Sequence, residues 1–360
     1  MNHVQRLNKK KVLVGLSGGV DSAVAAFLLV EQGYDVAGIT MAVYDGPAGV
    51  PKSGACYDCG EKDDIESASR LAELLGIPYH VFDCKKEYEK IVLTYFRETY
   101  LSGKTPNPCV RCNHMMKFGV LPAMALKHGV ESDFFATGHY VRKEFSPQYG
   151  RDVLLRGVDR RKDQSYFLYR LGAGQLQNIL LPLGGMKKEE VRELARKNGF
   201  PMHDKPDSQD FYTGDYTELV SKTDLPGEIV DTDGKVLGRH FGYWRFTPGQ
   251  RKGLGVSSKE PLYVLSVNAM HNKVVVGSAG QSLQQRCFLE KTVFNISIAE
   301  AGNFLEAQLR SAPNTAEAFV RHVEGNRVEV IFSNAQTGIA PGQSIVFYLG
   351  DMLVGGGIIC

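Results

Sequence analysis

Short apolar runs alternate with amphipathic stretches over the first 200 or so residues of the chain. The run Val12-Leu13-Val14-Gly15-Leu16 is apolar without alternation, the pattern of a strand covered on both faces. Further strands are predicted over 36–41, 79–82 and 134–137. Helical patterns occupy 21–32, 65–75, 87–101 and 117–128. Gly33, Gly76 and Gly129 stand where three of these should end, and Pro122 stands where the last should break or kink. A helix over 187–198 stops at Gly199-Phe200-Pro201. This alternation predicts an α/β fold, a parallel sheet with helices on both faces and ligands at the carboxyl ends of its strands.

Beyond residue 200 the pattern changes. Residues 228–235 read as a hairpin turning at Asp233-Gly234. Short alternating runs follow at 263–267, 273–276, 316–323, 327–332 and 344–348. Turn residues separate many of them at intervals of about 8 to 12, which predicts an all-β barrel or sandwich. There is no internal repeat and no low-complexity segment. The expected organisation is a catalytic domain over 1–204, a small β-rich domain over 205–280 and a β-barrel over 281–360.

The bulk composition adds boundaries. Apolar residues make up 43% and charged residues 23% of 360, an ordinary globular balance. The net charge of +2 gives no sign of a polyanionic partner, so nucleic-acid binding must come from local clusters. Arg156, Arg160, Arg161 and Lys162 form one. No segment has the roughly 18 to 20 uninterrupted apolar residues of a membrane span. The stretch from Met1 to Lys11 is polar and basic and lacks the apolar core of an export signal, so no membrane partner and a cytoplasmic location are expected. Seven cysteines, an odd number, fit a reducing compartment. There Cys56/Cys59 and Cys109/Cys112 suggest metal-binding or redox chemistry. Cys84, Cys287 and Cys360 have no partner at a telling spacing.

The strongest candidate for chemistry is Ser17-Gly18-Gly19-Val20-Asp21-Ser22, between a predicted strand and helix. Glycines let the backbone approach a phosphate, and the helix start supplies free N–H groups. Ser17 and Ser22 add hydroxyls, and Asp21 is placed to help hold Mg²⁺. The Gly-Lys-Ser/Thr of a γ-phosphate transferase is absent. These residues resemble the PP-loop, S-G-G-x-D-S, of the ATP pyrophosphatase superfamily, whose members cleave ATP between the α and β phosphates. That resemblance implies a Rossmann-type, adenine nucleotide α-hydrolase-like domain.

Other segments narrow it. They are Thr105-Pro106-Asn107-Pro108-Cys109-Val110-Arg111-Cys112-Asn113, Ala136-Thr137-Gly138-His139-Tyr140, Arg161-Lys162-Asp163-Gln164-Ser165 and Phe246-Thr247-Pro248-Gly249-Gln250-Arg251. With the loop, in this order, they resemble the tRNA-specific 2-thiouridylase family from about Lys11 to the C-terminus. The resemblance implies ATP-dependent 2-thiolation of the wobble uridine of tRNA, through an adenylated C2 oxygen. It implies a nucleotide site of Gly15, Leu16, Ser17, Gly18, Gly19, Val20, Asp21, Ser22, Met41 and Gly138, taking ATP with Mg²⁺. Asn107, Pro108 and Cys109 would approach the base. His139, Lys162, Asp163, Gln164, Arg310 and Gln343 would contact the tRNA. Cys112 matches the catalytic cysteine, supplied by a sulfur donor, either a persulfide-carrying protein or sulfide.

One departure matters. The family's second cysteine lies in D-S-x-x-x-C-F, and here Asp207-Ser208-Gln209-Asp210-Phe211-Tyr212 places Tyr212 at that point. A phenol cannot carry a persulfide. Cys109, in turn, stands where many members have aspartate. Two repairs stay open. In one, Cys112 and Cys109 or Cys59 form a thiol relay, with Arg111 and a helix start near Asn113 expected to lower the thiol pKa. In the other, Cys56, Cys59, Cys109 and Cys112 supply ligands to a metal centre, either a three-cysteine [4Fe–4S] cluster with an open iron or a zinc. Two rival functions also stay open: another PP-loop adenylating ligase, and a non-catalytic tRNA-binding paralogue.

Overall fold

The computed structural model describes residues 9–46, 54–207, 211–212, 214–220, 223–323 and 327–360. Most of the polar N-terminal stretch, and Ser208, Gln209, Asp210 and Thr213 of the Tyr212 motif, lie outside the described residues. The chain forms two compact units. The first comprises Met1–Ile91 and Cys109–Thr213, the second Val92–Pro108 and Gly214–Cys360.

The first unit is built on a five-stranded parallel sheet. Its strands are β1 (Lys11–Gly15), β2 (Asp35–Ala42), β3 (Tyr79–Asp83), β4 (Phe134–Ala136) and β7 (Ile179–Leu180), in the order β3-β2-β1-β4-β7. β1 lies in the centre, and Val12, Leu13 and Val14 are each at most 2% exposed, as an unbroken apolar run requires. Helix α1 (Val20–Glu31) follows β1, and its alanines and leucines enter the core formed by Val12, Val14 and Leu183. The helix Lys188–Lys197 packs against α1, and Phe27 meets Phe200 edge-on at 5.7 Å. Helix α2 (Glu61–Leu75) ends at Gly76 in the left-handed conformation, as its sequence predicts.

Two elements depart from expectation. The helix expected over 117–128 begins earlier. It runs through Pro108–Arg111, Cys112–Val120 and Leu121–Lys127 with helical dihedrals at both junctions, the middle segment in the wider π register. Pro122 does not break it; it falls where the π register gives way to the last segment. The second departure is an antiparallel hairpin, β5 (Val141–Ser146) and β6 (Arg151–Arg156), where the sequence pattern predicts no element.

In the second unit, β8 (Gly227–Val230), β9 (Val236–His240), β10 (Tyr263–Asn268) and β11 (Lys273–Gly277) form a sheet of order β10-β11-β8-β9. The expected turn joins β8 to β9, with Gly234 at φ 84°. The remaining strands are β12 (Gln284–Phe294), β13 (Phe304–Gln308), β14 (Thr315–Val323), β15 (Arg327–Gln336), β16 (Ser344–Leu349) and β17 (Met352–Ile359). They pair antiparallel in the order β12-β15-β14-β13-β16-β17, and β17 returns to β12, closing a six-stranded barrel. Closure removes the exposed sheet edges that an open β-structure would carry.

Candidate active site

The turn from β1 into α1 is tied down from within. Thr40 Oγ1 donates to the Leu16 carbonyl at 2.6 Å, and the Leu16 N–H donates to Ile39. The Ser17 N–H donates to Ser22 Oγ at 3.1 Å, and Ser22 Oγ donates to the Gly19 carbonyl. Gly19 caps α1 in an extended conformation with no side-chain cap bond, so the helix N-terminus presents its amides and positive dipole end. Gly18 has φ 70°, and a Cβ there would collide with the Asp64 backbone. Gly138, just beyond β4, sits so close that a Cβ would lie 2.8 Å from the Asp21 carbonyl and the Ser22 nitrogen. The predicted nucleotide residues from Gly15 to Ser22, with Gly138, are therefore contiguous. Met41 lies near the end of the neighbouring strand, β2.

Asp21 has partners that the sequence did not announce. Lys188 donates to both its oxygens, at 2.7 and 2.8 Å, and Tyr140 OH donates to Oδ1 at 2.7 Å. Lys188 also pairs with Asp207 at 2.6 Å, and Asp207 meets Lys162 at 2.8 Å and Arg192 at 3.4 Å. Burial alone would raise the Asp207 pKa, but hydrogen bonds and charge from Lys162 and Lys188 hold it below the usual carboxylate range. Burial, and then the Asp21 charge, pushes the Tyr140 phenol far up, so it stays a proton donor. These three hydrogen bonds engage the same carboxylate that the sequence offers to Mg²⁺. Lys188 and Asp207 belong to this network, but they lie 167 and 186 positions from Asp21, and no local spacing signals them.

Two of the predicted tRNA residues of the first unit, Lys162 and Gln164, connect to the same network. Lys162 is paired with Asp207. Asp163 accepts from Gly157 N, Ser165 N and Ser165 Oγ, holding its own loop. Gln164 Oε1 accepts from the Tyr140 N–H at 3.0 Å. His139 is buried, shares a 2.8 Å hydrogen bond with Thr137 Oγ1 and packs on Phe118. Burial, followed by the charge of Lys117, pushes its pKa down to about 3, so its ring is neutral near neutral pH. Asn107, Pro108, Arg310 and Gln343 belong to the second unit, and Cys109 to the first. Asn107 is buried, and its N–H donates to Tyr95 OH. Gln343 Nε2 donates to the Pro106 carbonyl at 2.6 Å, and Arg310 donates to the Pro248 carbonyl at 3.2 Å. Pro108 begins the helix that carries Cys109.

Cys112 opens the π-helical segment and is partly exposed, with Cys109 one turn earlier. The expected low thiol pKa is not found. Burial raises the Cys112 pKa to about 11, against the charge of Lys117, which lowers it. Asn113 does not start the helix, so no helix N-terminus faces the thiol. Lys117 acts on both Cys112 and His139, and His139 follows the Gly138 that touches Asp21 and Ser22. Phe118, on the same helix as Cys112, packs on His139, so Cys112 and the phosphate loop lie in one unit with His139 and Gly138 between their elements. None of the seven cysteines forms a disulfide. Among the described residues, no three His, Cys, Asp or Glu side chains converge as a metal site. Among the described residues, no helix is long and apolar enough to cross a membrane.

Three family models match consecutive stretches of the chain. A tRNA methyl transferase HUP domain matches 10–212, a tRNA methyl transferase PRC-barrel domain 218–278, and an aminomethyltransferase beta-barrel domain 286–359. The chain is 45% identical to tRNA-specific 2-thiouridylase MnmA of Endomicrobium trichonymphae, over 97% of this chain and 98% of that one. It is 42% identical to the protein of the same name from Carboxydothermus hydrogenoformans, over 98% of each. Among solved structures, NMN synthetase from Francisella tularensis gives a TM-score of 0.35 at 22% identity, over 58% of this chain and 71% of that one.

Proposed function

The chain belongs to the tRNA-specific 2-thiouridylase family, and we propose on that footing that it thiolates the wobble uridine of tRNA at C2 using ATP. The supporting observation is a glycine-lined helix start and a cysteine-bearing helix in one unit. ATP would lie with its phosphates against Gly18, Gly19 and the first amides of α1, helped by Ser17 and Ser22. A uridine C2 oxygen is a poor leaving group. Its attack on the α-phosphate, with loss of pyrophosphate, converts it into the oxygen of AMP, which is a good one. Sulfur delivered at Cys112 then forms a bond to C2, and AMP departs. The uridine must leave the anticodon stack to reach such a site.

The residues of this chain contribute orientation and fixed charge. Lys188, Tyr140 and Asp207 hold Asp21 and the α1 start in place. Asn107, Pro108 and Cys109 are assigned to the base, and Lys162, Asp163, Gln164, Arg310 and Gln343 to the tRNA. The buried, neutral His139 is suited to shape the pocket rather than to pair with a phosphate. Neither Mg²⁺ nor an iron–sulfur cluster is given a step.

Incubation with ATP and a tRNA transcript tests this reading. Pyrophosphate release should require the wobble uridine, and adding a persulfide donor should yield AMP and 2-thiouridine. Pyrophosphate release without any thiolated product would favour another adenylating ligase. Tight tRNA binding with no pyrophosphate at all would make the chain a non-catalytic binder.

A further inference from the structure

The phenol at Tyr212 leaves the sulfur relay one thiol short, and the fold brings another thiol to that place. The Tyr57 N–H donates to the Phe211 carbonyl at 3.1 Å. That hydrogen bond joins the peptide group leaving Cys56 to the peptide group entering Tyr212, so the two residues flank one contact. The Tyr57 ring stacks on Phe211 at 6.2 Å and on Tyr88 at 5.4 Å. The helix that ends in Tyr88, Lys85–Tyr88, packs against Cys112–Val120, the segment that opens with Cys112. The loop is a built one. Asp58 accepts from the N–H groups of Gly54, Ala55 and Gly60, and Tyr57 is 5% exposed. Cys56, next to this anchored ring, is exposed.

We propose that Cys56 replaces the missing family cysteine, receiving sulfur from the donor and forming the disulfide with Cys112 as that sulfur leaves. The reading rests on the thiolation proposed above. Two electrostatic relations agree with it. The charge of Cys56 acts on the Cys112 thiol, and both act on the Tyr88 phenol.

The chemistry balances as follows. A donor persulfide passes its sulfane sulfur to Cys56 Sγ, and the donor leaves as a thiol. The terminal sulfur of the Cys56 persulfide loses its proton and bonds to C2 of the adenylated uridine, and AMP takes the electrons of the C2–O bond. The Cys112 thiolate, its proton given to solvent, attacks Cys56 Sγ. The bond from Cys56 to the transferred sulfur breaks, and the electron pair stays on that sulfur as the thiocarbonyl. The sulfane sulfur is reduced by two electrons and the two thiols are oxidised by two. A dithiol reductant, together with two protons, restores both thiols for the next turnover.

The test is a single turnover of the whole chain with tRNA, ATP and a persulfide donor, without reductant, followed by peptide mapping of disulfides. A Cys56–Cys112 crosslink should form in step with thiouridine. Cys56→Ser should lower thiolation by about 100-fold or more while still releasing pyrophosphate on tRNA. Adding Tyr212→Cys to that variant should restore thiolation, because the thiol returns to the same neighbourhood. A Cys56→Ser protein that thiolates within about threefold of the parent would overturn the proposal. So would a Cys112 disulfide to Cys59 or Cys109, or iron retained by all four cysteines after anaerobic purification. Loss of pyrophosphate release by the parent chain would instead strike at the adenylation reading.

Discussion

Lys188 donates from a buried ammonium to both carboxylate oxygens of Asp21, at 2.7 and 2.8 Å. This contact fixes the start of α1 against the helix that opens with Lys188, and the same ammonium meets Asp207 at 2.6 Å. Two partly buried carboxylates therefore share this cation, although Asp207 also has Lys162 and Arg192. Lys188→Met would leave Asp21 without its cationic partner and should cost about 3 kcal/mol of stability. Urea denaturation should show the loss directly, and ATP binding should weaken with it. Unchanged unfolding in that variant would contradict the network.

Gly138 controls the approach of β4 to the phosphate loop. A methyl group there would sit 2.8 Å from the Asp21 carbonyl oxygen and the Ser22 nitrogen, both backbone atoms that cannot rotate aside. Gly138→Ala should cost about 1–3 kcal/mol through overpacking and raise the KM for ATP more than it lowers kcat. Steady-state pyrophosphate release at varied ATP checks the split.

The sulfur-release step should depend on pH through Cys112. Burial raises its pKa to about 11, so below that value the thiolate fraction grows about tenfold per pH unit. Single-turnover thiouridine formation should rise with pH across the neutral and mildly alkaline range, while pyrophosphate release should not follow the same slope. Lys117 holds the thiol pKa down, so Lys117→Met should slow the sulfur step and Lys117→Arg should restore it. A flat profile would contradict this role for Cys112.

His139 makes a stability prediction with a definite sign. Its folded pKa lies near 3, below the ordinary 6.5, because burial excludes the charged ring. The unfolded chain binds a proton as pH falls through 6.5 and the folded chain does not, so this contribution is present above 6.5 and lost progressively toward 3. Urea midpoints should fall between about pH 7 and about pH 5, and less steeply in His139→Gln.

The sequence carried the parallel sheet because its strands are unbroken apolar runs, and it carried the phosphate loop because strand, glycines and helix are adjacent in the chain. It did not carry the contacts made by distant residues. Lys188 is an ordinary helix-start lysine until the fold places it on Asp21. Cys56 pairs by spacing with Cys59, yet its backbone neighbour is Tyr212. Some strands were hidden by composition. β17 contains Gly355-Gly356-Gly357, which reads as a loop. A Cβ at Gly355 would lie 2.7 Å from Phe294, and one at Gly357 2.7 Å from Thr292, so the glycines let this strand close the barrel against β12. β12 itself shifts register between Glu290 and Val293, with Lys291 at φ 49°, which erases the alternation that would have marked it.

The central claim is that ATP turns the uridine C2 oxygen into a leaving group before sulfur arrives. A transcript whose target uridine carries a heavy-oxygen label at C2 tests it most directly. After one turnover with persulfide, the label should appear in the phosphate of AMP, one heavy atom for each thiouridine formed. Unlabelled AMP, with the heavy oxygen released to water, would contradict the account.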